Sequence, residues 1–394
     1  MRRIVEVSII PFQFAVEGLG LGGHAAMGVS NVQCKPGGTL QVMRYGVEIR
    51  CDDGAAGRYV THWVGTEGSL GQAIMLAPHL LGRDPERREE IYDDLKRELR
   101  AYDHMGHGPL DIALWDLVGR KYNMSITTML GGYRERLPTY ASSHHGQDDG
   151  YGLNSIERFA EYALECREKG FVGFKIHGWH DGNRKREAKN ILKVREAVGR
   201  DMEIMVDPAC ELRTFADALY VGRACDEAEC FWYEDPYRDG SVSAFGHKML
   251  REHLKTPLLI TEHVRGLEQK AGFLLSGGCD YIHLDPEYDM GITGAMKIAH
   301  MAEALGVDVQ VHACGPAHRI CIAAIRNTHF YEMALIGPGM LNLVPPVYAC
   351  GYSDQLDAID ENGTVPVPNG PGLGVTYDWD FVFKHKIAYH RFKL

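Results

Sequence analysis

The chain has 394 residues, of which 45% are apolar and 24% are charged, and this composition is typical of a globular protein with two or three domains. Its 42 basic and 53 acidic residues leave a net charge of −11, which argues against nucleic acid as a partner because phosphate binding requires a basic surface. The ten cysteines form no Cys-x-x-Cys pair, so we expect reduced thiols and neither a zinc site nor a disulfide framework.

The N-terminal sequence MRRIVEVSII has no long apolar segment and no small-residue cleavage site. No run of about 18 apolar residues occurs further along the chain. We therefore expect a cytoplasmic protein that has no membrane partner.

The first 60 residues show the alternating pattern of β-strands. Residues 4–9 and 42–50 are predicted as strands, and the second ends at the turn Asp52-Asp53-Gly54. The glycine-rich segment between them, residues 18–23, matches the pattern GxGxxG of dinucleotide-binding folds. Because no helical pattern follows it, the segment is predicted as a mobile loop and not as a nucleotide site.

Residues 67–130 carry helical patterns. Pro85 followed by acidic residues is typical of a helix start, and residues 110–118 place apolar side chains on one helical face. Gly131 and Gly132 end this region. From residue 137 onward, short apolar runs alternate with helical stretches. These runs are residues 137–142, 171–177, 203–207, 230–234, 258–262, 281–285, 307–312 and 330–335.

Eight apolar runs that alternate with helices predict a parallel sheet covered on both faces, of the (β/α) barrel kind. We expect an α+β capping domain over residues 1–132 and the barrel over residues 133–345. The segment 346–394 is expected to pack back on the cap.

An ionisable residue stands at the end of most of these runs. Beginning with Asp207, the successive residues are 23 to 28 positions apart, which is about one βα unit. They are Asp207, Glu234, Glu262, Asp285 and His312. Because the carboxyl ends of barrel strands meet at one open face, these side chains are predicted to converge.

Three of them, Asp207, Glu234 and Glu262, make an all-oxygen set that suits Mg²⁺ or Mn²⁺ better than zinc. Buried carboxylates that converge in this way are costly unless a metal or a cation pairs them. The sequence therefore predicts a divalent-metal site at the open face of the barrel.

Acid–base groups flank this site. Lys175 and His177 are two positions apart, so both side chains point the same way from one strand. Asp285 is placed to accept a hydrogen bond from His312 and to fix its tautomer. A carboxylate substrate on the metal would have bases on two faces, which suits removal of its weakly acidic α-proton.

The ordered set Lys175-Ile-His177, Asp207, Glu234-Asp-Pro, Glu262, Asp285 and His312 resembles that of the enolase superfamily. Within it, the chain is similar to the mandelate-racemase-like branch of the mandelate racemase/muconate lactonizing enzyme family. Residues 113–117 with Leu130-Gly131-Gly132 resemble the family's entry into its barrel, and the likeness covers nearly the whole chain.

The resemblance implies a modified TIM barrel, (β/α)7β, with an α+β cap. It implies Asp207, Glu234 and Glu262 as Mg²⁺ ligands and Asp285 with His312 as the acid/base dyad. Lys175 would contact the substrate carboxylate, with Glu332 and Ser142 as further contacts. His24, in the glycine-rich segment, would contribute to specificity, and the protein is expected to form a homo-oligomer.

One position departs from the family pattern, because many members have Lys-x-Lys where this chain has Lys175 and His177. This departure favours dehydration of a sugar acid to a 2-keto-3-deoxy acid through an enediolate. Alternatives are a racemase or epimerase that uses His177 and His312 on opposite faces, a cycloisomerase, and a catalytically silent carboxylate-binding protein. The sequence does not decide which of the two histidines is the base.

Overall fold

The computed structural model describes residues 3–22 and 32–394. It contains a four-stranded antiparallel sheet with its helices and a larger sheet built around eight parallel strands. Among the described residues, no helix combines the length and the apolar character that crossing a membrane would require.

The antiparallel sheet has the strand order β13-β1-β2-β3. Its strands are β1 (Ile4–Leu21), β2 (Val32–Cys51), β3 (Ala56–Val60) and β13 (His390–Lys393). The C-terminal strand β13 thus pairs with the first strand of the chain.

The first two strands are longer than the sequence pattern predicted. Residues 18–21, expected to be a loop, belong to β1, and Leu19 pairs with Cys34 of β2. The cause is the burial pattern of β1, in which Phe12, Phe14 and Val16 alternate with exposed residues and Leu19 is fully buried. This alternation holds the hairpin together beyond the predicted strand ends. Gly22 follows the strand, and Gly23 lies outside the described residues.

The region predicted to be helical contains α1 (Glu67–Leu76), a 3₁₀ turn (Ala77–Leu80), α2 (Arg88–Glu98), α3 (Gly108–Lys121) and α4 (Ile126–Met129). Helix α3 packs against β3 and also against helix α10 (Gly291–Ala304) of the barrel. Gly108, at the start of α3, allows a close approach to the loop before α10, because a Cβ there would stand 2.2 Å from the carbonyl oxygen of Glu287.

The larger sheet has the strand order β10-β9-β8-β7-β6-β5-β4-β11, all parallel. Its strands are β4 (Arg136–Ser143), β5 (Gly173–His177), β6 (Glu203–Asp207), β7 (Trp232–Glu234), β8 (Leu258–Ile260), β9 (Tyr281–Leu284), β10 (Val309–Val311) and β11 (Tyr331–Ile336). The helices between them are α5 (Ile156–Glu168), α6 (Arg184–Val198), α7 (Phe215–Ala228), α8 (Ala244–Arg251), α9 (Leu267–Leu275), α10 (Gly291–Ala304) and α11 (Pro316–Ala324). Eight strands and seven helices make the predicted (β/α)7β arrangement.

The C-terminal segment returns across the barrel. It contains a 3₁₀ turn (Leu356–Ala358), β12 (Thr364–Pro366), which pairs antiparallel with β4, and α12 (Trp379–Lys384). Arg319 of α11 ties this segment down through Asp354 and through the carbonyl oxygens of Ser353 and Pro366.

A cluster of large side chains fills the sheet interior beneath the strand ends. Tyr140, Met205, Trp232 and Leu259 pack together and are buried. Three of these stand two positions before Ser142, Asp207 and Glu234. Residues two apart in a strand lie on the same face, so each of these polar side chains follows a large buried side chain on the inner face of its strand. The polar ends are therefore held on a packed floor.

Candidate active site

A cavity of about 450 Å³ opens at the carboxyl ends of the parallel strands. Of the residues predicted from the sequence, six line it: Lys175, His177, Asp207, Glu262, His312 and Glu332. Glu234, Asp285 and Ser142 are buried behind its wall. His24 lies outside the described residues.

His312 and Asp285 form the hydrogen bond that the sequence predicted, with 2.8 Å between Nδ1 and Oδ2. The other ring nitrogen, Nε2, lies 3.5 Å from Oε1 of Glu262. Burial opposes the charged imidazole, but Glu262 and Asp285 outweigh it and raise the pKa of His312 to about 10. The ring also stacks on Tyr288, which limits its orientation.

Asp285 accepts from three donors. Besides His312, its Oδ1 accepts from the backbone N–H of Glu287 at 2.7 Å and from Nε2 of His318 at 3.2 Å. Burial favours the neutral acid, but His318 and His312 hold the pKa of this carboxyl well below its usual range. Asp285 is thus a fixed, ionised partner for the His312 ring. His318 was not predicted, because nothing in its sequence position signals this contact.

Lys175 is 1% exposed and stands among carboxylates. Its Nζ is 3.0 Å from Glu332, 3.1 Å from Glu234 and 3.8 Å from Asp207. Burial lowers the pKa of this ammonium group, but Glu234 and Glu332 outweigh burial and raise it well above its ordinary value. Lys175 is therefore a permanent cation at the floor of the cavity.

Glu234 is held by three donors or ion-pair partners. Besides Lys175, the indole Nε1 of Trp232 donates to it at 2.9 Å and His283 Nε2 lies 2.7 Å away. Ligand atoms of Glu234, Glu262 and His283 lie within 4.8 Å of one another, which fits one shared cation. Glu234 can thus reach the predicted metal position from the wall, although it does not line the cavity.

The donor set fits a hard divalent cation. Asp207 and Glu262 face the cavity and Glu234 adjoins it, so three carboxylates border the predicted metal position. Among the described residues, however, Asp207 lies outside the group of Glu234, Glu262 and His283 whose ligand atoms are within 4.8 Å of one another. Burial raises the pKa of Glu262, but His312 and the neighbouring His263 outweigh burial and lower it to about 2. The carboxylate is therefore ionised and ready to bind a cation.

Asp235, which was not among the predicted site residues, lines the same cavity. It is 1% exposed, and neither of its carboxylate oxygens has a hydrogen-bond partner. Burial, together with Glu262 and Glu234, raises its pKa well above the ordinary value. An unpartnered buried carboxyl is costly, so a group bound in the cavity would relieve it. The Glu-Asp-Pro sequence contained the signal, because Asp235 directly follows Glu234.

His177 presents one ring nitrogen to the site. Its Nδ1 is 2.8 Å from the carbonyl oxygen of Ser143, which can only accept, so Nδ1 carries the hydrogen. Nε2 therefore faces Asp207, with 3.0 Å to Oδ2. The backbone N–H of His177 also donates to the Ser143 hydroxyl, so the end of β5 is tied to β4.

Glu332 and Ser142 lie on the paired strands β11 and β4, next to Lys175 of β5. Glu332 accepts the backbone N–H of Ala313 at 2.6 Å as well as the Lys175 ammonium group. Burial raises the pKa of Glu332, but Lys175 and His312 together outweigh it and lower the pKa to about 2. Ser142 is fully buried, so its side chain lies behind the lining in this structure.

The comparisons with known proteins agree with this architecture. Residues 158–381 match the family model described as enolase C-terminal domain-like. Residues 37–131 match that of the mandelate racemase/muconate lactonizing enzyme N-terminal domain. The fold is thus that of the enolase superfamily. The chain belongs to the mandelate racemase/muconate lactonizing enzyme family.

Its relatives include enzymes with different reactions. A D-galactarolactone cycloisomerase of Agrobacterium fabrum is 28% identical over 355 residues, which are 85% of this chain and 89% of that protein. An arabinonate dehydratase of Saccharolobus solfataricus is 24% identical over 84% of this chain and 87% of its own length. A D-glucarate dehydratase from Agrobacterium tumefaciens, solved in complex with magnesium, is 25% identical with a TM-score of 0.83 over 98% of this chain and 99% of that one.

Proposed function

We propose that this enzyme removes the proton α to the carboxylate of a sugar acid and expels the β-hydroxyl, giving a 2-keto-3-deoxy acid. Its relatives include dehydratases of sugar acids, which supports this substrate class. The reaction is a hydro-lyase reaction: the C2–H bond and the C3–O bond break and water leaves, which gives an enol. The enol becomes the 2-keto-3-deoxy acid when C3 gains a proton and the C2 hydroxyl loses one.

Asp207, Glu234 and Glu262 would hold Mg²⁺, or Mn²⁺ in its place. When bound, the ion would stabilise the negative charge of the enediolate and offset the charge of Glu262 beside His312. Lys175 would bind a carboxylate oxygen of the substrate and stabilise the same developing charge. Glu332 holds Lys175 in place from the opposite side.

His312 would be the base. Against burial, Glu262 is the main cause of its raised pKa, so with Glu262 engaged by the ion the neutral ring that proton abstraction requires would become accessible. Proton abstraction puts a positive charge on its ring, and Asp285 is an ionised acceptor fixed 2.8 Å from Nδ1. The pair thus keeps Nε2 directed at the cavity and stabilises the imidazolium that forms. His177 would be the acid, because its Nε2 faces the cavity from another strand and can give a proton to the departing hydroxyl.

One observation supports the proposal. Of the four histidines among the described cavity lining, His177 and His312 lie at strand ends beside the predicted metal ligands Asp207 and Glu262, and in each of them Nδ1 is engaged by a fixed acceptor. The acceptors are the Ser143 carbonyl and the Asp285 carboxylate, both at 2.8 Å. Each ring can therefore offer only Nε2 to a substrate, so one can act as base and the other as acid.

A screen of sugar acids with Mg²⁺ tests this proposal. Formation of 2-keto-3-deoxy acids would be measured by their semicarbazones, with His312→Asn as the inactive control. We expect product from one or a few acids with the wild type and none with the variant. Absence of product from every acid would contradict the dehydratase assignment.

The same pair of histidines also suits a racemase or epimerase, in which each ring serves one face of the α-carbon. The two reactions differ in the fate of the hydroxyl. In D₂O, an epimerase would introduce deuterium at the α-carbon of a substrate that keeps all of its oxygen atoms, with no 2-keto product.

A further inference from the structure

A row of polar side chains leads away from the strand ends along one wall of the cavity. His145, His180, Glu211 and Arg238 lie on the loops just beyond β4, β5, β6 and β7. Of these, His145, Glu211 and Arg238 line the cavity, and His180 contacts both His145 and Glu211 without lining it. We call these four residues the polar wall. Because their loops follow the strand ends that hold His177 and Asp207, we expect the polar wall to face the part of a substrate beyond the reacting carbons.

The polar wall is continuous with the site. The ring centroid of His145 is 4.9 Å from that of His177 and 3.9 Å from that of His180. His180 Nδ1 is 3.4 Å from Oε1 of Glu211, and Arg238 NH1 is 3.8 Å from Oε2 of the same carboxylate. A substrate tail that leaves His177 therefore meets an imidazole ring, a carboxylate and a guanidinium group along this wall.

The charges of the cavity lining limit what this tail can be. The lysine and arginine side chains among the described lining residues are Lys175, Arg238 and Arg265. Each faces a carboxylate: Lys175 faces Glu234 and Glu332, Arg265 pairs with Asp103, and Arg238 faces Glu211. A second anionic group on the substrate would thus have to compete with a carboxylate of the protein.

Glu211 is the residue that makes this competition costly. It is 5% exposed, so its charge is poorly screened by water, and it lines the cavity. Burial and the neighbouring His180 lower the pKa of His145 well below its ordinary value, so this ring is neutral and adds no positive charge to the wall. A carboxylate placed here would meet a like charge in a low-dielectric surrounding.

Hydroxyl groups, by contrast, are matched by the wall. A hydroxyl both donates and accepts. Here Glu211 can only accept and Arg238 can only donate, and the neutral His145 ring, whose Nδ1 lies 3.2 Å from the carbonyl oxygen of Gly178, offers Nε2 as an acceptor. We propose that the polar wall selects sugar acids with a single carboxylate and a neutral hydroxyl-bearing tail, and that Glu211 rejects the corresponding dicarboxylic acids. This inference rests on the proposed function, which places the reacting carboxylate at Lys175.

The test compares six-carbon sugar acids in pairs that differ only at C6, where an aldonate has a hydroxymethyl group and its matched aldarate has a carboxylate. Binding to the Mg²⁺-loaded protein is measured by titration calorimetry at fixed ionic strength for the wild type and for Glu211→Gln. The exposed Glu89, which pairs with Lys297, supplies the control Glu89→Gln.

We expect the wild type to bind at least one aldonate at least about tenfold more tightly than its aldarate, because of the like charge at Glu211. Glu211→Gln keeps the shape of the side chain but removes its charge, so this ratio should fall at least about fivefold, mainly through tighter aldarate binding. Arg238→Met should instead weaken aldonate binding without any gain for the aldarate. Glu89→Gln should behave as the wild type.

Tighter wild-type binding of aldarates, an unchanged ratio in a folded Glu211→Gln protein, or no binding of any of these acids would overturn the inference. If aldonates bind preferentially but are not dehydrated, the selectivity stands and the proposed reaction fails. If aldarates are preferred and dehydrated, the reaction stands and the selectivity inference fails.

Discussion

Replacing Lys175 by Met would remove a buried cation that three carboxylates share, and its cost follows from the structure. Burial works against the charged form of Glu332, yet Lys175 and His312 hold its pKa at about 2 instead of the usual 4.5. Because each tenfold change in the acid dissociation constant corresponds to about 1.4 kcal/mol, the ionised form of Glu332 is stabilised by about 3 kcal/mol. Glu234 would lose a partner at 3.1 Å in the same substitution.

We therefore expect Lys175→Met to lower the free energy of unfolding by about 3–5 kcal/mol in EDTA, the usual cost of removing one partner of a buried ion pair. The remaining carboxylates would repel one another more strongly, so a divalent cation should stabilise the variant by more than it stabilises the wild type. Urea denaturation with EDTA and with Mg²⁺ measures both quantities.

Lys297→Met is the matched control, because its exposed ion pair with Glu89 is worth about 1 kcal/mol at most. If Lys175→Met lowered the free energy of unfolding in EDTA by less than about 1 kcal/mol, Lys175 would not be needed to stabilise the buried carboxylates. An equal Mg²⁺ effect on variant and wild type would also contradict the prediction, because the metal ligands would then not be the carboxylates that Lys175 neutralises.

Three further predictions concern acid stability, the dyad and the C-terminal segment. Burial lowers the pKa of His107 to about 3, so below about pH 6.5 this ring binds a proton in the unfolded chain but not in the folded protein. The contribution of His107 to the free energy of unfolding is therefore complete above about pH 6.5 and falls by about 1.4 kcal/mol for each pH unit below it. His107→Leu should remove this contribution, and chemical denaturation between pH 6.5 and 4.5 would contradict the assignment if the slope did not change. Asp285→Asn should lower kcat by at least about 100-fold with intact folding, because the His312 imidazolium loses its ionised partner; near-normal steady-state rates would exclude the dyad. Arg319→Leu should cost about 3–5 kcal/mol in urea denaturation by leaving Asp354 buried without its cation, and a change below about 1 kcal/mol would show that this pair does not hold the C-terminal segment.

Much of the fold could be predicted from the sequence because buried parallel strands read as apolar runs. All eight runs from residue 137 onward correspond to strands, and each boundary differs by at most two residues. The first hairpin was harder to predict. Its extension to Leu21 depends on pairing with Val32, more distant in the sequence than a local pattern can register.

The strand ends also indicated where the candidate site lies, because a carboxylate at the end of a buried strand is costly unless a cation pairs with it. The hydrogen bond between His312 and Asp285 could be predicted from their places on neighbouring strands. Contacts across the barrel could not be predicted. That Glu234 is held by Trp232 and His283, for example, depends on side-chain rotamers and on packing from three strands.

The polar wall was only half visible in the sequence. His145 and His180 closely follow the predicted strands 137–142 and 171–177, a position from which a residue can line the open face of a barrel. Glu211 and Arg238 lie in loops, where charged residues are ordinary and carry no positional signal. Only the three-dimensional arrangement shows that they face one another across the cavity lining.

One isotope-exchange experiment can decide which histidine removes the α-proton and which protonates the departing hydroxyl. A sugar acid that the enzyme dehydrates would be incubated in D₂O with His177→Asn and with His312→Asn, and α-deuteration and dehydration would be followed by NMR. We predict that His177→Asn still exchanges the α-proton but dehydrates poorly, whereas His312→Asn does neither. Exchange that persists in His312→Asn and disappears in His177→Asn would contradict the account, because the base would then be His177.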